Sequence, residues 1–166
     1  MRPRLLLLAM IGWFCSVSAV HAQRSPHVIV YNDALAAGWH DWSFAVDRDL
    51  ASTVTPHGGG NDIAVTAKAW GCLALQSDGT DVNGLTTLSF WIKGGVAGGQ
   101  HLSVILNGEA GVPSAYNLPP LTTGWSHVEV KLSTLGLASG RLKTIWIRNS
   151  TASDAPVFYV DDIEIR

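Results

Sequence analysis

Trp91 in LSFWIKGG and Trp146 in KTIWIRNS stand where strand alternation turns them away from the apolar side. Successive side chains on a strand face opposite ways, so Leu88, Phe90 and Ile92 share one face and leave Trp91 with Ser89 and Lys93 on the other. Ile145 and Ile147 likewise leave Trp146 beside Thr144 and Arg148. An indole on a polar face offers a flat apolar surface edged by hydrogen-bonding groups, which suits a ligand that is apolar on one side, such as a sugar ring. The competing reading covers both rings with a loop or with the N-terminal segment, making a second small core. On the platform reading the same face receives Ile105, Asn107, His127, Glu129, Lys131 and Arg148, and Asn107, Glu129 and Arg148 supply donors and acceptors beside the rings.

A second aromatic group lies in YNDALAAGWHDWSF, where Trp39 and Trp42 flank His40 and Asp41. Trp42 reads as a core residue. Trp39 reads either as the rim of a ligand groove or as a lid over the end of the fold. Trp70 in KAWGCL sits at a turn, as an exposed contact or as hinge packing, and Trp125 after Gly124 reads as packing at a strand end.

The carboxylates suggest a hard cation. Asp161 and Asp162 in FYVDDIEI have a counterpart in Asp33, and calcium takes six to eight oxygens from such carboxylates and from backbone carbonyls. The Gly58 to Gly60 loop could complete the set. The alternative is a solvated acidic edge that discourages strand-to-strand association. Enzyme signatures are missing: there is no G-x-S-x-G elbow, no H-E-x-x-H and no phosphate-cradling loop. A glycan hydrolase or lyase would need two opposed carboxylates, for which Glu129 with Asp41 is the best pair on offer.

These residues need a scaffold, and the punctuation of the chain points to one built of strands. Runs rich in Val, Ile, Leu and aromatics recur between Gly, Asn, Asp and Pro clusters: 27–31, 42–46, 62–67, 72–76, 87–93, 101–107, 127–131, 143–149 and 157–165. This spacing predicts an all-β fold, a two-sheet antiparallel β-sandwich or jelly roll. Leu102, Val104 and Leu106 share one face, as do Val128, Val130 and Leu132, and these faces form the core. Residues 133–137 could make one helical turn.

Residues 1–22 read as a secretory signal peptide: Arg2 and Arg4, an apolar run from Leu5 to Val17, and small residues at Val20 and Ala22. The expected product is a single domain over 23–166, secreted or periplasmic, with no membrane span after cleavage. The leader removes two of the eleven Lys and Arg residues, leaving nine against thirteen Asp and Glu, a net charge of −4 with no basic cluster. Nucleic acid is therefore excluded as a partner. Cys72 is then the one remaining cysteine, so no internal disulfide can form. Asn149-Ser150-Thr151 matches a glycosylation sequon, read as a chance match.

The order of YNDALAAGWHDWSF, LSFWIKGG, TTGWSHVEVKLSTLG, IWIRN and FYVDDIEI resembles the extracellular carbohydrate-binding modules of the galactose-binding-like β-jelly-roll type, over nearly the whole chain after the leader. The resemblance implies two antiparallel sheets, an aromatic-lined face for a polysaccharide or oligosaccharide, no catalysis, and often a structural calcium near the first and last strands. On the matching positions it implies Asp33 with Asp161 or Asp162 as metal carboxylates, and Trp91 and Trp146 on binding-face strands. Two other functions stay open at this point: a calcium-stabilised interaction or adhesion domain, and a small glycan hydrolase or lyase.

Overall fold

The computed structural model describes residues 27–166, so the expected signal peptide and Cys15 lie outside the described residues. The described elements are all strands: β1 (Val28–Asn32), β2 (Ala34–Leu35), β3 (Trp39–Asp41), β4 (Phe44–Ser52), β5 (Asp62–Asp81), β6 (Thr87–Gly94), β7 (Leu102–Gly108), β8 (Tyr116–Asn117), β9 (Ser126–Lys131), β10 (Arg141–Asn149) and β11 (Ala155–Ile165). Every pairing is antiparallel. Hydrogen bonding is continuous through one curled sheet, which folds into two layers because β5 spans both. The first layer runs β9, β6, β11, the N-terminal half of β5, then β4, with β1 and β2 at the far end of β11. The second runs β3, the C-terminal half of β5, β10, β7, β8. This is the expected sandwich.

Alternation builds the core. Leu88, Phe90 and Ile92 on β6, Leu102, Val104 and Leu106 on β7, Ile145 and Ile147 on β10, and Phe158 and Val160 on β11 are all buried in one cluster. On β5 the odd-numbered Ile63, Val65, Ala67, Leu73 and Leu75 join it. Each large aliphatic or aromatic side chain contributes about 1.5 to 3 kcal/mol by leaving water. Among the described residues Cys72 is a buried free thiol, so burial rather than a cross-link holds these strands together.

The two runs read as separate strands at 62–67 and 72–76 are one strand, bent at Trp70. Trp70 has φ 60° and Ala45, beside it on β4, has φ 51°, both in the left-handed region that a Cβ disfavours. A Cβ on Gly71 would overlap the Ala45 carbonyl oxygen, so glycine is needed where the two strands cross between layers. Residues 132–136 form successive turns rather than a helix, with Leu135 buried beneath them.

Candidate functional site

The two platform tryptophans occupy different layers. Trp91 on β6 pairs with His127 on β9 and Asp161 on β11, whereas Trp146 on β10 pairs with Ala74 on β5 and Ile105 on β7. Both point outward as alternation required, but from opposite sides of the sandwich. The expected single face is thereby corrected. Ile105, Asn107 and Arg148 accompany Trp146, while His127, Glu129 and Lys131 accompany Trp91.

The register lays out the outer face of the second layer in rows. His40, Gln76, Thr144 and Asn107 lie abreast. The next row holds Ala74, Trp146 and Ile105, joined by Trp42, whose N–H donates to the Ala74 carbonyl at 2.8 Å. Then come Phe44, Cys72, Arg148, Ser103 and Asn117. Cys72 and Ala74 face outward yet are buried. Trp42 and Phe44 are 64% and 46% exposed, and Phe44 meets Trp146 edge-on with ring centroids 5.8 Å apart and planes at 76°. The aromatic surface is therefore a corner rather than the flat shelf expected from the sequence.

Polar groups on this face lack partners. Arg148 Nε, Ser103 Oγ and Ser150 Oγ are buried atoms with no hydrogen-bond partner among the described residues. Arg148 and Ser103 are register neighbours, and Ser150 lies one residue past the end of β10. Leaving such a group unpaired costs about 1 to 3 kcal/mol, so each of the three calls for a partner beyond the described protein atoms. Asn107 is engaged, donating through Nδ2 to Thr144 Oγ1 at 2.8 Å. Burial pushes the Cys72 thiol up to about 12, despite the opposing pull of Arg148, so it is unreactive at neutral pH.

Trp39 is 6% exposed and belongs to the core, which corrects its expected place at a groove rim. It pairs with Ser77, an odd-numbered and hence inward position of β5, and Trp42, three residues on, takes the opposite side. The pair's roles are the reverse of the core reading given to Trp42. Trp42 and Phe44 are the residues sequence reasoning missed. Their signal was Trp-Ser-Phe, two aromatics at strand alternation across one serine.

On the first layer, Trp91 is engaged by the protein itself. The His57 imidazole stacks on it at 3.8 Å between centroids and His127 at 4.7 Å, while Trp125 meets His57 edge-on at 5.6 Å. His127 Nε2 and Ser89 Oγ lie 2.9 Å apart. The covering loop of the competing reading is thus realised for Trp91 and not for Trp146. Glu129 pairs with Arg166, which also holds Glu164 at 2.8 Å. Asp41 lies on β3 of the other layer, where it accepts from Arg48 Nε at 2.6 Å, so the two carboxylates of the hydrolase reading do not face one another. Asn149 is buried and donates through Nδ2 to the Lys68 and Ser153 carbonyls, which leaves the sequon amide unavailable for modification.

The structure does bring Asp33, Asp161 and Asp162 to the glycine loop. Asp33 Oδ1 accepts from the N–H groups of Gly60 and Asn61 at 2.6 and 2.8 Å, which holds its carboxyl below the usual range. Asp161 Oδ2 accepts from the N–H groups of His57 and Gly58 at 2.9 and 3.2 Å. Burial nevertheless pushes the Asp161 carboxyl up. His57 Nδ1 lies 2.8 Å from Asp162 Oδ2. Gly59, at φ 58°, packs so closely on the Asp33 carboxylate that a Cβ would overlap it. These carboxylates clasp the loop that presents His57 to Trp91. Among the described residues no group of three or more His, Cys, Asp or Glu side chains stands in a metal-holding arrangement. Asp62, fully buried and next to Val160's partner Ile63, keeps Oδ1 without a partner.

This architecture is that of the carbohydrate-binding modules. A family 11 module from Clostridium thermocellum, solved with a β-1,3-1,4-mixed-linked tetrasaccharide, superposes with a TM-score of 0.60 at 16% identity over 84% of this chain and 94% of that one. A family 29 module from Piromyces equi gives 0.58 at 14% identity, covering 84% and 89%. A family 29 module mutant complexed with mannohexaose gives 0.57 at 8% identity, covering 85% and 91%. At such identities the likeness is one of fold. The family model of the expansin-like protein C-terminal domain matches residues 30–166, and the chain belongs to that family. No curated protein matches the chain.

Proposed function

We propose that the outer face of the second layer binds a neutral polysaccharide, without catalysis, in the aromatic corner of Trp42, Phe44 and Trp146. The observation that carries this reading is the pairing of exposed rings with buried, unpartnered donors at Arg148, Ser103 and Ser150 on one surface. Stacking one sugar face over roughly 100 Å² contributes about 2.5 kcal/mol at ~25 cal/mol per Å². Association costs on the order of 4 kcal/mol or more, so a single ring is insufficient and several rings with hydrogen bonds give reversible grip on a chain. Arg148 is the one charged side chain in these rows, which supports a neutral glycan rather than a uronate. The rows hold no carboxylate pair, which supports binding without hydrolysis.

Related folds solved with mannohexaose and with a β-1,3-1,4-mixed-linked tetrasaccharide make glycans of those kinds the first probes. Affinity electrophoresis and calorimetry with cellohexaose, mannohexaose and mixed-linkage β-glucan should reveal binding to at least one, with no reducing ends released. A protein retained by no glycan, soluble or insoluble, would overturn the proposal. The interaction-domain alternative required Trp91 and Trp146 to meet one partner, and their opposite layers remove that support.

We also keep calcium as a proposed structural ligand near Asp33, Asp161 and Asp162. Its support is the partnerless Oδ1 of buried Asp62, beside an Asp161 carboxylate that is sealed from solvent. Calcium there would compensate buried negative charge and brace the loop. The secreted location expected from residues 1–22 accords with an extracellular glycan as ligand.

A further inference from the structure

We infer that Trp70 is a separate aromatic subsite that lengthens the glycan-binding face toward the β10–β11 turn, so that the domain discriminates chain length. The inference rests on the polysaccharide reading above. Trp70 is 52% exposed although it is a large indole, and it holds φ 60°, a conformation that sterically burdens any residue with a Cβ. Glycine would sit there without strain. A bulky ring kept in a costly backbone geometry and displayed to solvent contributes nothing to the core, and strain of this kind concentrates where a side chain must be aimed. The geometry is fixed from both sides: the Trp70 N–H donates to the Thr151 carbonyl at 3.2 Å, and Gly71 packs on the Ala45 carbonyl.

Its placement continues the face already described. The Trp70 N–H bond to Thr151 carries the pairing of β5 with β10 past Cys72 and Arg148, which sets Trp70 beside the β10–β11 turn. Two residues past Cys72, Trp70 lies beyond the Phe44 and Arg148 row, on the side away from Trp146. The unpartnered Arg148 Nε and Ser103 Oγ lie in the Phe44 row, and Ser150 Oγ lies at the start of the β10–β11 turn. A disaccharide seated on the Trp42, Phe44 and Trp146 corner stops short of Trp70, whereas a hexasaccharide spans the hydroxyl-receiving groups and reaches it.

The test compares Trp70→Gly with the unaltered protein by calorimetry, using cellobiose with cellohexaose and mannobiose with mannohexaose, and melting curves for both proteins. The expected result is an affinity for the bound hexaose lowered by about tenfold or more, an unchanged affinity for the corresponding disaccharide, and a melting temperature that holds or rises because strain is relieved. Trp70→Phe should restore most of the hexaose affinity. Equal hexaose affinity in Trp70→Gly overturns the subsite while leaving the Trp42 corner intact. An equal loss for both lengths also overturns it, since the ring would then belong to the corner or merely shape it. If the unaltered protein binds none of the four sugars, both readings fall together.

Discussion

Replacing Trp42 with alanine separates recognition from stability. The ring is 64% exposed, and the main-chain N–H of Trp42 bonds the Ala74 carbonyl, which the substitution leaves alone. Surface changes of this kind usually stay within about 0.5 kcal/mol, so the melting temperature should barely move. Recognition should not be spared. Losing about 100 Å² of stacked surface at ~25 cal/mol per Å² removes about 2.5 kcal/mol, or roughly 70-fold in Kd. Phe44→Ala should cost less, because a smaller ring offers less area. Combined with Trp146→Ala, the two losses should not add, since their rings touch at 5.8 Å. Calorimetry with the tightest-binding hexasaccharide measures the loss, and tryptophan emission should change on titration of the unaltered protein. A Trp42→Ala protein that binds within about twofold of the original would refute the stacking argument, because no such area could then have been lost.

Other consequences follow from the opposite layer and from the buried groups. Trp91→Ala should leave glycan affinity unchanged and destabilise the fold by about 2 kcal/mol, as both imidazoles lose their stacking surface; reduced glycan binding with an unchanged melting curve would contradict the assignment of layers. The Cys72 thiol, ordinarily near 9, is raised to about 12, so the unfolded chain gives up its proton first and stability should fall by about 1.4 kcal/mol per pH unit between pH 9 and 11. Cys72→Ala should flatten that part of the stability profile, and an identical slope in both proteins would defeat the reasoning. Calcium at a hundredfold excess over its Kd should stabilise the protein by about 2.7 kcal/mol and EDTA should reverse the gain, at about 2 to 4 °C per kcal/mol. Superimposable melting curves with calcium and with EDTA would dispose of the metal.

Much of the architecture was legible because strand alternation is a local property. The inward faces of β6, β7 and β10 follow from LSFWI, LSVIL and TIWI alone, and so does the outward direction of Trp91 and Trp146. The meeting of Asp33, Asp161 and Asp162 with the glycine loop was also foreseeable from the chain, although their hydrogen bonds to that loop were not. What alternation cannot say is which layer a strand joins. β6 entered one and β10 the other, so two rings of identical local pattern ended on opposite sides, one stacked by histidines and one open beside Phe44.

The same limit governed Trp39 and Trp42. Three residues apart on neighbouring extended segments, they must face opposite ways, but the choice of which goes inward rests with the partner strand. Pairing with Ser77 sent Trp39 to the core and left Trp42 in water. Composition, period and punctuation, being short-range, determined an antiparallel sandwich with aromatics to spare on its polar faces. Long-range pairing along β5, bent at Trp70 and Gly71, decided which of those aromatics share a surface, because only the register between distant segments brings side chains abreast.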